Sequence, residues 1–512
     1  MIRRRCLSVH ACLFAASLVV AATSVPARAA APAQPLAFAI RRDAKVAEGP
    51  LDARVYVFLG GVGAAPRDPR FGPDWFATQP FFATDAQGWK AGEPLVVDAT
   101  AAGYPGPLSE LPAGEYKIQA VVRLNPDTHA LGDGAGNAFG PVVTARLDPK
   151  AGGTIELKVD QIVPPHTIAE TDRIKVVEFE SALLSRFYGR PVQQRAAVLL
   201  PKGDLSKKRP VLYIIPGFGG DARMVAALDN PRLAFGRDFV RVVLDPDCFT
   251  GHHVFADSAT NGPRGRALVE EMIPLVEARF PVIPGPRARL VNGHSSGGWS
   301  SLWLQTTYPD AFAGVWSTSP DPVDFRDFQR INLYAPGENM FKDRDGNRRP
   351  VARRGLVPFL WYDDFSRMEE VIGAGGQLRS FEAVFSPLDQ HRNPRRLWDR
   401  KTGAVDLETA KSWEKYDIRL QLERNWKSVG PKLQGKLHVY TGSIDTFYLE
   451  GAVDLLKKSL AQLGSDALVE VLPGKDHGSL LDAELAARLD REMHAAVRDL
   501  YAPEPAAAAP KP

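Results

Sequence analysis

The chain has 512 residues, 45% of them hydrophobic and 24% charged, which is the balance of a globular protein with room for more than one domain. Its formal net charge is +3. The first 29 residues hold four arginines and no acid, so the remainder carries −1 and offers no case for a nucleic-acid or other polyanionic partner. Of three cysteines, Cys6 and Cys12 lie in that same segment, which leaves Cys248 without an intramolecular disulfide partner.

The N-terminus has the three parts of an export signal: Arg3-Arg4-Arg5, an apolar run from Ala11 to Ala22, and Ala27-Arg28-Ala29 as the cleavage site. The run is too short and too alanine-rich for a good membrane span, so release into the periplasm or the extracellular space is expected, without stable membrane insertion. After a short leader (residues 30–34), residues 36–163 carry short apolar or alternating segments split by Gly, Pro and Asp. These are Ala53 to Leu59, Pro94 to Asp98, Gly114 to Val122 and Thr154 to Val159. The spacing predicts an all-β, sandwich-like accessory domain, and Pro164-Pro165 makes a stiff joint after it.

From about 172 to 502 the pattern changes. Ile174 to Phe179 and Ala196 to Leu200 read as antiparallel strands. Val211 to Ile215 is an apolar run too short for a helix, as expected of a strand covered on both faces. Phe239 to Leu244 is a further strand, Gly265 to Phe280 an amphipathic helix, Ala288 to Val291 a strand, Trp299 to Tyr308 a helix and Ala311 to Thr318 a strand. Such alternation predicts a doubly wound, mostly parallel α/β sheet. The period breaks at about 320–434, a charged, aromatic-dotted insertion where a cap would sit. Its arginines (Arg344, Arg348, Arg349, Arg353, Arg354) either meet an acidic substrate or form a solvated face. Two strands close the pattern, Lys436 to Tyr440 and Ala467 to Leu472, and residues 503–512 form a flexible tail.

The chemistry concentrates at the C-terminal ends of these strands. Gly293-His294-Ser295-Ser296-Gly297 has the form G-x-S-x-G between a strand and a helix, the setting of a nucleophile presented on a tight turn. A serine hydroxyl needs an imidazole to take its proton and a carboxylate to orient that imidazole. Asp445 follows one later strand and His477 the next, in the chain order such a sheet requires. Asp476 adjoins His477 and is the poorer orienter, because neighbouring side chains diverge. His438 and His391 read as strand and solvated residues. Pro216-Gly-Phe-Gly-Gly220 lets a backbone N–H approach a developing oxyanion, so Phe218 and Ser296 are the expected donors. His252, His253, Asn261 and Trp299 lie near the same edge and are candidates for substrate contact, Trp299 equally for the core. No metal or cofactor is called for.

Four stretches together carry a family resemblance: Tyr213 to Gly220, Gly293 to Gly298, Gly442-Ser-Ile-Asp445 and Gly474-Lys-Asp-His477. Over roughly residues 175–500 the chain resembles the putative esterase family of α/β-hydrolases, the group that includes esterase D and the enterochelin esterases. Phe255 to Gly262, ahead of a helix, is similar too. The resemblance implies hydrolysis of a carboxylic ester, small or polymer-linked, through an acyl-enzyme. It does not choose between a hydrolase and an acyltransferase. A non-catalytic binding protein on a retired scaffold is a further alternative.

Overall fold

A computed structural model describes residues 34–500 apart from 62–66, 231–232 and 234. The expected export segment (1–29), most of the leader and the tail (503–512) lie outside the described residues.

Eight strands form the large sheet: β1 (Ile174–Glu180), β2 (Gln193–Leu199), β3 (Val211–Ile215), β4 (Val240–Leu244), β5 (Arg289–His294), β6 (Gly314–Thr318), β7 (Leu437–Gly442) and β8 (Leu468–Leu472). Their spatial order is β1-β2-β4-β3-β5-β6-β7-β8. β2 runs antiparallel to both neighbours, and every later pairing is parallel. The apolar run of β3 follows from cover on both faces. Val211, Tyr213 and Ile215 enter one core with Trp299 and Leu302 of the helix Ser296–Thr307. Leu212 and Ile214 enter the other with Leu489 and Met493 of the helix Ala483–Ala496. This is the α/β-hydrolase arrangement, and it gathers the C-terminal ends of β3, β5, β6, β7 and β8 at one edge.

The insertion after β6 is more regular than its sequence suggests. It contains the hairpin Pro350–Arg354/Val357–Trp361 and the helices Tyr362–Ile372, Gln377–Phe385, Leu407–Ser412 and Ile418–Leu433. Its aromatic residues pack on one another, with Phe385 and Trp413 at 5.1 Å and Phe325 and Phe385 at 5.5 Å between ring centroids. The arginine run fits neither expectation throughout. Arg348 pairs with Asp363 and Asp364, Arg349 with Glu338 and Arg353 with Glu450, so these three close the fold around themselves. Cys248 is buried, and burial raises its thiol pKa.

Upstream, two sheets stack. Pro94–Val97, Ala37–Arg42 and Thr154–Val159 form the smaller. The larger centres on Gly114–Val122, Leu51–Gly61 and Phe81–Trp89. The segment Ala53 to Leu59 is apolar at successive positions because both of its faces are covered. Val55, Val57 and Leu59 point into the core between the two sheets. Tyr56 and Phe58 point the other way, into the core of the large α/β sheet and its insertion. Tyr56 donates its hydroxyl to the Ile372 carbonyl at 2.6 Å, and Arg54 donates to the Val371 carbonyl. The β unit therefore lies against the insertion along part of a sheet face.

Phe58→Ala removes a buried ring from that shared face. It is expected to cost about 3–5 kcal/mol, read as a lower midpoint of urea unfolding. An unchanged midpoint would mean the face contributes little.

Candidate functional site

Ser295 is the residue between β5 and the helix Ser296–Thr307, and its backbone sits at φ 60, ψ −126. Positive φ is strained for a residue with a side chain. Three hydrogen bonds fix it: Ser295 N–H donates to the Thr318 carbonyl at 3.0 Å, and the Ser295 carbonyl accepts from Trp299 at 3.0 Å and Asp321 at 3.2 Å. Two residues on, the helix touches β3 so closely that a Cβ on Gly297 would stand 2.0 Å from the Ile215 carbonyl oxygen. Only glycine fits there.

The loop after β3 passes just as near. A Cβ on Gly217 would lie 3.1 Å from Ser295 Cβ and 3.2 Å from the His294 carbonyl oxygen. The backbone at Gly217-Phe218 thus runs beside Ser295, while Ser296 begins the helix whose first N–H groups lack intrahelical acceptors.

Asp445 and His477 arrive from the ends of β7 and β8. Asp445 is fully buried, and its Oδ2 accepts from His477 Nδ1 at 2.9 Å. Its other oxygen accepts from Phe447 N–H at 2.9 Å. Burial alone would disfavour both charges. The pair outweighs it, so Asp445 is held below the usual carboxylate range and His477 above the usual histidine value. Asp476 turns away, accepting from the Ser479 N–H at 2.8 Å and capping its own loop.

Ser295, His477 and Phe218 line one cavity of about 740 Å³. Three further polar groups there were not evident from the sequence. His294 packs against the His477 ring at 4.5 Å, and burial lowers its pKa to about 3. Asp321 is buried, which raises its carboxyl to about 6. It accepts from Ser296 Oγ at 2.6 Å and Gln377 Nε2 at 3.3 Å. Ser319-Pro-Asp321 follows β6 with nothing to distinguish it from an ordinary turn, and Gln377 comes from an insertion helix. Only the x position of G-x-S-x-G could have pointed to His294.

The proposed substrate contacts require correction. Trp299 is core: it stacks on Trp303 at 5.2 Å and meets Phe385. Asn261 is buried and accepts from Thr250 Oγ1 at 2.7 Å. His253 is buried against Phe255 and borders a separate polar cavity of about 330 Å³. His252 braces the β3 loop by bonding the Pro216 carbonyl through Nε2 at 2.9 Å. The strand ends that carry these residues do lie near Ser295, but the loop folds its polar side chains inward to satisfy its own backbone. Cavity wall comes instead from Trp75, Phe365, Phe381 and Phe447.

The sequence profile of the family described as putative esterase matches residues 192–452, just over half the chain, including Phe218, Ser295 and Asp445. No curated protein matches. Among solved structures, the fluorophosphonate-binding serine hydrolase F of Staphylococcus aureus is 14% identical, over 63% of this chain and 98% of its own, with a TM-score of 0.38. An S-formylglutathione hydrolase from Agrobacterium tumefaciens is 13% identical, over 64% of this chain and 94% of its own, with a TM-score of 0.37. A ferulic acid esterase from Anaeromyces mucronatus is 14% identical, over 65% of this chain and 95% of its own, with a TM-score of 0.32.

Histidine NMR checks the electrostatics. His477 is expected to take its second proton above the ordinary value of about 6.5, so it is still cationic at a pH where a free histidine is neutral. His294 should stay neutral down to about pH 3. Asp445→Asn should lower the His477 value; no change would mean that the carboxylate does not set it.

Proposed function

The chain belongs to the putative esterase family and is a serine esterase-type hydrolase, and from that premise we propose that Ser295, His477 and Asp445 are its catalytic triad. The observation that carries this reading is the 2.9 Å Asp445–His477 hydrogen bond bordering the cavity that Ser295 also lines.

Asp445 accepts the Nδ1 proton of His477, which leaves Nε2 as the basic nitrogen. As Ser295 Oγ bonds to the acyl carbon, Nε2 takes its proton and the carbonyl π pair moves onto oxygen. The backbone N–H groups of Phe218 and Ser296 donate to that oxyanion. The tetrahedral species then collapses, the acyl C–O bond to the alcohol breaks, and Nε2 returns the proton to the leaving oxygen. Water repeats the sequence on the acyl-enzyme and releases the acid. The substrate is a carboxylic ester, free or attached to a polymer, whose apolar part lies against Phe365, Phe381 and Phe447. Export by the N-terminal segment belongs to the same reading.

Mature protein treated with a fluorophosphonate should label at Ser295 alone, as mapped by peptide mass spectrometry, and Ser295→Ala should abolish both labelling and ester turnover. Retained turnover in Ser295→Ala would sink the triad. Asp445→Asn is expected to lower kcat about 10⁴-fold; if Asp476→Asn does so in its place, the acid is misassigned. Because His477 must be neutral to act as base and its pKa is raised, kcat/KM should fall with decreasing pH along a limb above about 6.5. A limb at or below that value would contradict the role of the pair.

A further inference from the structure

The loop that carries Phe218 is Gly217-Phe218-Gly219-Gly220, with Gly219 at φ +81. A peptide flanked by glycines has more conformational freedom than any other. The Gly220 N–H bonds the Gly217 carbonyl at 3.0 Å and closes the turn, but the Phe218 peptide between them has no such bond of its own in that run. The phenyl ring of Phe218 is the only side chain by which the run can be fixed.

That ring is held from outside the α/β sheet. Trp75, in the loop ahead of Phe81–Trp89, stacks on it with centroids 5.5 Å apart and planes 29° from parallel. Trp75 is itself set edge-on to Phe365 of the insertion at 5.0 Å. His129, in the loop after Gly114–Val122, approaches the Phe218 ring at 4.9 Å. A third side is bare backbone: a Cβ on Gly251 would stand 3.1 Å from Phe218 Cε2.

The His129 loop is fastened by one carboxylate. Asp247 Oδ2 accepts the Thr128 hydroxyl at 2.6 Å, and Oδ1 accepts from His129 Nδ1 at 2.5 Å and from the His129 backbone N–H at 3.2 Å. Three donors from one loop of the β unit thus meet one side chain of the catalytic unit. Burial would raise the Asp247 pKa, and the bonds and charge of His129 bring it below the ordinary value. The acceptor is therefore anionic at neutral pH, where charge-assisted bonds are strong.

We propose that the N-terminal β unit is a positioning element of the active site: Trp75 and His129 clamp the Phe218 ring, and through it the Phe218 N–H, while Asp247 latches the clamp. This rests on the reading of Phe218 as an oxyanion donor. Trp75 and His129 line the cavity that Ser295 also lines, and the action assigned to all three is on the Phe218 N–H. Their effect is on the transition state, because a misdirected N–H weakens binding of the oxyanion and leaves ground-state binding alone.

The test uses the full chain and p-nitrophenyl acetate. Trp75→Ala is expected to lower kcat toward the loss of one oxyanion donor, about 10²- to 10³-fold, with KM changed less than about 3-fold. Trp75→Phe should restore most of the rate. Phe218→Ala should match Trp75→Ala, and the double variant should be no slower than either, since both release one N–H. Trp75 is half-buried in a loop, so its removal should lower the melting temperature by only a few degrees, about what two aromatic contacts contribute. Should Trp75→Ala not fold, Asp247→Asn is the second variant, expected to lose at least 10-fold in kcat.

Unchanged kcat in the folded variants overturns the clamp, as does a loss confined to KM, which would make Trp75 a substrate contact. Multiplicative losses in the double variant overturn it too. Failure of the underlying reading looks different: Phe218→Pro, which deletes the N–H itself, would leave kcat unchanged.

Discussion

The site depends on a strained backbone at Ser295. Holding a residue with a side chain at φ 60 costs on the order of 1–3 kcal/mol, and it persists only because its surroundings leave no alternative. β6 takes the Ser295 N–H through Thr318, and Asp321 donates back to the Ser295 carbonyl. Gly297 lets the helix settle against the Ile215 carbonyl of β3. β5 delivers Ser295, β6 holds it and β3 passes beneath it. The same contacts bring the Phe218 loop and Asp321 to the serine, so the geometry of the cavity follows from a single turn.

Electrostatics then gives each titratable group in the cavity a different state. Burial acts on all of them, and the partner decides the outcome. His477 has a buried carboxylate at hydrogen-bond distance and becomes the more basic imidazole. His294, 4.5 Å away, bonds the Thr318 hydroxyl, and burial keeps it neutral. Asp445 keeps its charge, while Asp321 is pushed up to about 6 despite its bonds to Ser296 and Gln377. Groups packed this closely can have divided roles because their pKa values are driven apart.

The β unit is joined to this machinery by packing along a sheet face. Tyr56 and Phe58 fill the core that also holds Trp299 and Phe385, and loops from opposite ends of the larger sheet carry Trp75 and His129 to the Phe218 ring. A sandwich that served only as an appended module would keep its outer face polar. Here that face is apolar because the catalytic unit covers it.

Local pattern was enough to expose the sheet and its motif residues. Runs such as Val211 to Ile215 admit one explanation, and the glycines about Ser295 mark the turn that glycine alone permits. Asp445 and His477 could be named because strand ends converge at one edge of a parallel sheet. Short strands at 102–104 and 138–139 and the insertion helices escaped, since their apolar residues are set by partners distant in the chain. His253 and Asn261 turn inward, and Trp299 takes the core place that its sequence equally allowed, for a related reason: sequence sets the edge a residue reaches, while packing sets which way its side chain turns. Asp321, Gln377, Trp75 and His129 carry no local signature, as each acquires its part only from a neighbour far off in sequence. The chain itself determined the succession of strands and helices, the strained serine turn and the strand ends that bear Asp445 and His477, because periodicity and glycine are local. Tertiary structure alone decided which groups share the cavity, because burial and charge pairing exist only between surfaces that folding brings together.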